Sequence, residues 1–129
     1  MTENQIATNI VDAAYKIHTR LGPGLLESVY EVVLAHELKK RNCEVLRQVP
    51  IPITYEDITF EEGFKADLIV NDKVIIELKS VEEMNPVFSK QLITYLKLAD
   101  KRLGILINFG EYLIKNGIKR IVNNLPEDK

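Results

Sequence analysis

A nearly unbroken apolar run, Leu103 to Phe109, follows a helix-patterned segment, which itself follows a second apolar strand, Val74 to Lys79. A strand, helix, strand order demands a parallel pair joined by a right-handed crossover. A strand with no polar alternation has to be covered on both faces. The chain is therefore expected to build a mixed α/β sheet flanked by helices, and its 129 residues suit one domain, residues 1–129, with its core from about Ile6 to Val122.

The remaining punctuation fits that frame. Apolar residues Ile6, Ile10, Val11, Ala14, Ile17 and Leu21 recur at helical spacing from about Glu3 to Arg20, and Gly22-Pro23-Gly24 stops the helix. A second helix is expected from about Leu25 to Arg41, with Leu26, Tyr30, Val33 and Leu34 as its apolar stripe. Val45 to Tyr55 alternates as a strand. Pro50 and Pro52 share one parity there, which puts that strand at a sheet edge. Phe64 to Val70 and Val74 to Lys79 flank Asn71 and Asp72 as a β-hairpin. Asn85-Pro86 opens a third helix that reaches about Asp100, and a short strand near Ile118 to Val122 closes the order α-α-β-β-β-α-β-β.

Composition excludes several classes. At 46% hydrophobic and 28% charged the chain is globular rather than disordered, and no run approaches the roughly 18 apolar residues of a membrane span. The polar start, Met1 to Gln5, lacks the layout of a secretion signal, so a cytoplasmic protein is expected. Cys43 is alone, which excludes an internal disulfide or a cysteine-based zinc cluster. With 17 Lys+Arg against 19 Asp+Glu, the net charge of -2 gives no global basic field, so a nucleic-acid partner needs a local basic patch or a bound cation.

Register decides the chemistry of the hairpin. A three-residue loop, Asn71 to Lys73, pairs Val70 with Val74 and sets Asp67 opposite Glu77; a two-residue loop would waste Val70 on Lys73. We adopt the three-residue loop. Opposed carboxylates about 5 Å apart repel by roughly 3 kcal/mol at an effective dielectric near 20. A divalent cation held by both removes that cost, as does a solvated face that screens it. Lys79 lies on the same face as Glu77, two residues on, where it is either an ion-pair partner or a group that positions water and stabilises charge on a phosphate.

Other candidates surround this pair. Glu27 falls at the edge of the second helix's apolar sector, which suits either a metal ligand or a cap or lysine partner, and Glu31 sits one turn on, nearer the rim. Gln91 and Tyr95 are neighbours at i and i+4 beside Phe88, placed to hold a phosphate or a water, or simply to border the helix. His18 and His36 show no metal-ligand spacing, and no glycine-rich phosphate loop exists. Lys39-Lys40-Arg41 reads as a solvated helix end.

These residues also resemble a known family. Asp67, then Glu77-Leu78-Lys79, is similar to the D…ExK signature of the PD-(D/E)XK nuclease superfamily. Gln91 to Tyr95 resembles the QxxxY motif of its RecB-type branch, and Gly24-Leu25-Leu26-Glu27-Ser28-Val29-Tyr30 resembles the signature of the GxxExxY family. Ala66 stands where the superfamily's name has proline. The resemblance implies an α-β-β-β-α-β restriction-endonuclease-like core, here with an extra N-terminal helix and a short C-terminal strand. It also implies Mg²⁺-dependent hydrolysis of nucleic-acid phosphodiesters, with Mn²⁺ able to substitute. By that resemblance Asp67, Glu77, Glu27 and the Leu78 backbone carbonyl would hold the metal. Lys79 would position or activate water, Gln91 would support catalysis, and Tyr95, Tyr30 and Glu31 would back the site. A domain this small has little surface for sequence readout. The expectation is a DNA nuclease directed by structure, of use in repair, recombination or defence, acting as a homodimer or in a larger complex. The competing expectation is a catalytically silent module that keeps the nuclease fold to bind a partner.

Overall fold

The computed structural model describes residues 1–126. The elements are α1 (Glu3–Leu21), α2 (Glu27–Lys40), β1 (Val45–Tyr55), β2 (Ile58–Val70), β3 (Val74–Lys79), α3 (Val87–Ala99), β4 (Leu103–Asn108) and β5 (Ile118–Val122), with a 3-10 turn at Ile114–Gly117 that sequence pattern did not announce. The five strands lie in chain order in one sheet. Only β3 and β4 are parallel, as the intervening α3 requires, and the other pairs are antiparallel. β1 is an edge strand, so Pro50 and Pro52 lack N–H groups where few partners exist. Among the described residues no helix is long and apolar enough to cross a membrane.

Two layers of helix sandwich the sheet. Alternation along β3 sends Val74, Ile76 and Leu78 into one core with Ile6, Ile10 and Ile17 of α1 and Tyr30, Leu34 and Leu38 of α2. Ile75 goes to the other face, where Ile69 and Leu106 meet Leu92 and Leu96 of α3. α3 lies close on β4 because Gly104 has no side chain there; a Cβ would meet Leu92 at 2.9 Å. Each fully buried Leu or Ile contributes about 2 kcal/mol, enough in sum to carry a costly site. Asn85 Oδ1 accepts from Val87 N at 3.0 Å as the chain enters α3, but the helix starts at Val87, so Pro86 rather than Asn85 is its N-cap and the expected start is one residue early.

Three further expectations need correction. α2 begins at Glu27 rather than Leu25, because Gly22 to Leu26 forms a loop held from below by Tyr30. β2 begins at Ile58 rather than Phe64, extending the β1–β2 hairpin into an exposed arm. Glu61-Glu62-Gly63 bulges opposite Pro52 and breaks the alternation, which is why the arm reads as loop in the sequence. Finally, the residues of β1 that share one parity do not share one face. Val45 joins the α1/α2 core, whereas Val49 and Ile51 pack on the α3 side. Gln48, at φ 51, turns the strand over between them.

Candidate active site

The three-residue hairpin loop is present, with Val70 against Val74 and Leu68 against Ile76. That pairing ends at Leu68, and the next residues in register are Asp67 and Glu77. From here the strands part, and side chains take over the hydrogen bonds that the ladder leaves unmade. Asp67 Oδ2 accepts from Leu78 N at 2.8 Å, and Glu77 Oε1 accepts from Asp67 N at 3.4 Å. Main-chain N–H groups point along the sheet, so both carboxylates lie in the opening between β2 and β3. In a strand the C=O of a residue points to the same lateral side as its N–H, so the Leu78 carbonyl faces this opening too.

Glu77 is buried, and burial is the main reason its carboxyl is pushed up to about 9. Asp67's negative charge and its contact with the carboxyl add to the rise, while Lys79 opposes it. Glu27 reaches the same region from the first turn of α2. Its carboxyl is also raised, first by burial and then by Asp67 and Glu31, against the pull of Lys79. A cavity of about 300 Å³ is lined by Glu27, Ser28, Glu31, Gln48, Asp67 and Leu78. Among the described residues no ion pair neutralises Asp67, Glu77 or Glu27.

The lysine is held differently from a simple ion-pair partner. Lys79 Nζ sits 4.2 Å from the centroid of the Phe88 ring, a cation–π contact that anchors it to α3. Tyr95, two turns along α3, stacks on Phe64 of β2 with centroids 3.8 Å apart. Its phenol is raised by burial, then by Glu77 and Asp67, so the ring stands beside the acidic pair. Gln91 lies between Phe88 and Tyr95 on the same helix edge, exposed and without a hydrogen bond among the described residues.

Two residues expected to back the site lie behind its carboxylates and are tied to other groups. Tyr30 is fully buried, stacked on Phe109 at 4.3 Å; its hydroxyl donates to Gly22 O at 2.5 Å and accepts from Leu25 N at 3.2 Å. It fixes the loop that presents Glu27 and does not face the carboxylates. Glu31 is buried but already engaged, its Oε2 accepting from Arg47 Nη2 at 2.9 Å and its Oε1 from Gln48 Nε2. Gln48 went unnoticed in the sequence. Its amide bridges Glu31 and, at 3.4 Å, Asp67 Oδ1, and nothing but an isolated amide in an alternating strand signals it. Asn108 was also missed: fully buried, it accepts from Val81 N and Gly110 N and donates to Val81 O, fixing the chain as it leaves β3.

The donor set suits a hard divalent cation. Among the described residues no three Asp, Glu, His or Cys side chains form a closed cage. Mg²⁺ does not require one, since one or two carboxylates and several waters are its usual shell. Asp67 and Glu77 supply two carboxyl groups side by side, where burial and the Asp67 charge keep the Glu77 proton on in the absence of a cation, and the Leu78 carbonyl adds a neutral oxygen. Such a bound cation would polarise a phosphate and acidify water.

Paired acids and a lysine where a mixed sheet splits, with α3 closing one side, define a nuclease-like α/β protein. A family model of the PD-(D/E)XK nuclease superfamily matches residues 4–121, and the chain belongs to that superfamily. No curated protein and no solved structure matches the chain significantly.

Proposed function

We propose that this chain is a Mg²⁺-dependent deoxyribonuclease of the GxxExxY, QxxxY-bearing branch of its superfamily, hydrolysing phosphodiesters at the β2–β3 opening. The observation that carries the reading is the meeting of Asp67 and Glu77 at the end of the hairpin ladder, with neither ion-paired among the described residues. Asp67, Glu77, the Leu78 carbonyl and, from α2, Glu27 would hold the cation. Lys79, steadied on Phe88, orients the attacking water and faces the charge that develops on the phosphate. Gln91 holds a non-bridging phosphate oxygen through its amide N–H, and Tyr95 keeps α3 seated on β2. Gln48 is a positioning residue that aims Asp67. A charge of -2 repels DNA until a cation enters the opening, which makes binding depend on the metal. The reading places the enzyme in the cytoplasm and predicts discrimination by DNA structure rather than by long sequence.

The test is incubation with supercoiled, linear, single-stranded and branched DNA in Mn²⁺, beside Glu77→Ala and Lys79→Ala. Cleavage of one or more substrates by the wild type alone is expected. Cleavage that survives both substitutions would remove this site from the chemistry. Absence of cleavage on every substrate, together with a Mn²⁺-insensitive melting temperature, would leave only a binding module.

A further inference from the structure

Two exposed apolar surfaces of the chain take no part in the acidic site, beyond one sharing Ser28 at its edge, and they complement each other. The first is the outer face of α2. A helix apolar on one side only turns its polar side to water. α2 instead buries Tyr30, Leu34 and Leu38 inward and presents Val29 and Val32 outward, and the loop before it adds Leu25 and Leu26, with Leu26 73% exposed. Ser28, Val29, Val32 and Val33 line an open groove of about 400 Å³ on this face. Its C-terminal end carries Lys39, Lys40 and Arg41; Lys40 pairs with Glu37 and Arg41 with Asp12, and Lys39 has no ion-pair partner among the described residues.

The second surface is the tip of the β1–β2 arm. Ile53 pairs with Phe60 and Tyr55 with Ile58. Directly opposed residues share a face, and so do residues two apart, so all four side chains stand together. Tyr55 is 67% exposed, and Ile58 and Phe60 are each 56% exposed. Between Pro52 and Gly63 the arm carries Glu56, Asp57, Glu61 and Glu62 and no Lys or Arg. That charge turns phosphate away, which argues against the arm as a nucleic-acid wedge.

We infer that the arm of one copy docks its Tyr55, Ile58 and Phe60 into the α2 groove of a second copy, its carboxylates meeting the partner's basic helix end. Both surfaces stay exposed within one chain, so each is left for another molecule. Exchange of two arms about a two-fold axis makes each contact twice and leaves neither surface uncovered. The dimer is independent of whether the β2–β3 opening is catalytic.

Cross-complementation tests this pairing. A double variant Tyr55→Ser, Phe60→Ser lacks a working arm, and a double variant Val29→Asp, Val32→Asp lacks a working groove. By sedimentation equilibrium the wild type is expected to dimerise, each variant alone to weaken association at least tenfold, and their equimolar mixture to recover a heterodimer through one intact arm and groove. Glu61→Gln with Glu62→Gln, which touches no apolar residue, should weaken the dimer and reduce its sensitivity to salt. A wild type that stays monomeric overturns the inference. So does a wild-type dimer whose mixed variants fail to associate, because that pattern marks an arm-to-arm or helix-to-helix contact.

Discussion

Replacing Glu77 by glutamine should stabilise the metal-free protein, and the gain should grow with pH. The folded carboxyl is pushed up to about 9 from an ordinary value of 4.5. Below the ordinary value both folded and unfolded chains hold the proton, and the group costs nothing. As pH rises above it the unfolded chain ionises while the folded site resists, so stability falls until the folded value is passed. Each pH unit in that window removes about 1.4 kcal/mol, which sets a ceiling near 4 kcal/mol at about pH 7.5. Relaxation and water entry around a site shared with Asp67 reduce this to about 2 kcal/mol. Glutamine mimics the protonated acid: its oxygen accepts from Asp67 N, and its amide donates toward the Asp67 carboxylate. The variant should therefore melt about 6 °C above the wild type near pH 7.5 in a chelator, and level with it near pH 4.5. Circular dichroism melting across that range measures the difference directly. Adding Mn²⁺ should reverse the order, since only the wild type gains binding energy. Parallel pH profiles for the two proteins, or a variant that melts lower throughout, would refute a repulsive buried pair.

Other substitutions probe the scaffold that aims the site. Tyr30→Phe leaves Gly22 O and Leu25 N without the hydroxyl and should lower stability by about 1–3 kcal/mol in thermal melts, while weakening Mn²⁺ binding only through looser placement of Glu27. Arg47→Met strands the buried Glu31 carboxylate and should destabilise by about 2–3 kcal/mol in thermal melts near neutral pH. Gly110→Ala pushes a Cβ into the Val81 backbone, which Asn108 holds in place, and should cost about 2 kcal/mol or more by urea denaturation.

The candidate site divides between residues that local pattern exposes and residues it hides. Asp67, Glu77 and Lys79 were legible because hairpin register is fixed by apolar pairing across a short loop, here Val70 against Val74. Gln91 and Tyr95 followed from helical spacing, though only the fold set Tyr95 on Phe64. Tyr30 shows the limit in the other direction. Its motif neighbour Glu27 lines the cavity, but Tyr30 turns its ring into the core and holds only the loop before Glu27, a distinction that depends on which helix face meets Phe109.

By itself the sequence determined the order of elements, the one parallel pair and the acidic couple, because periodicity, turn chemistry and register all act between residues near in the chain. Tertiary structure alone decided that β1 and β2 change faces at Gln48, that β2 parts from β3 at Asp67, and that Lys79 leans on Phe88. Those features depend on which helices pack against which side of the sheet. Such long-range contacts override a strand's own alternation, and no window of sequence contains them.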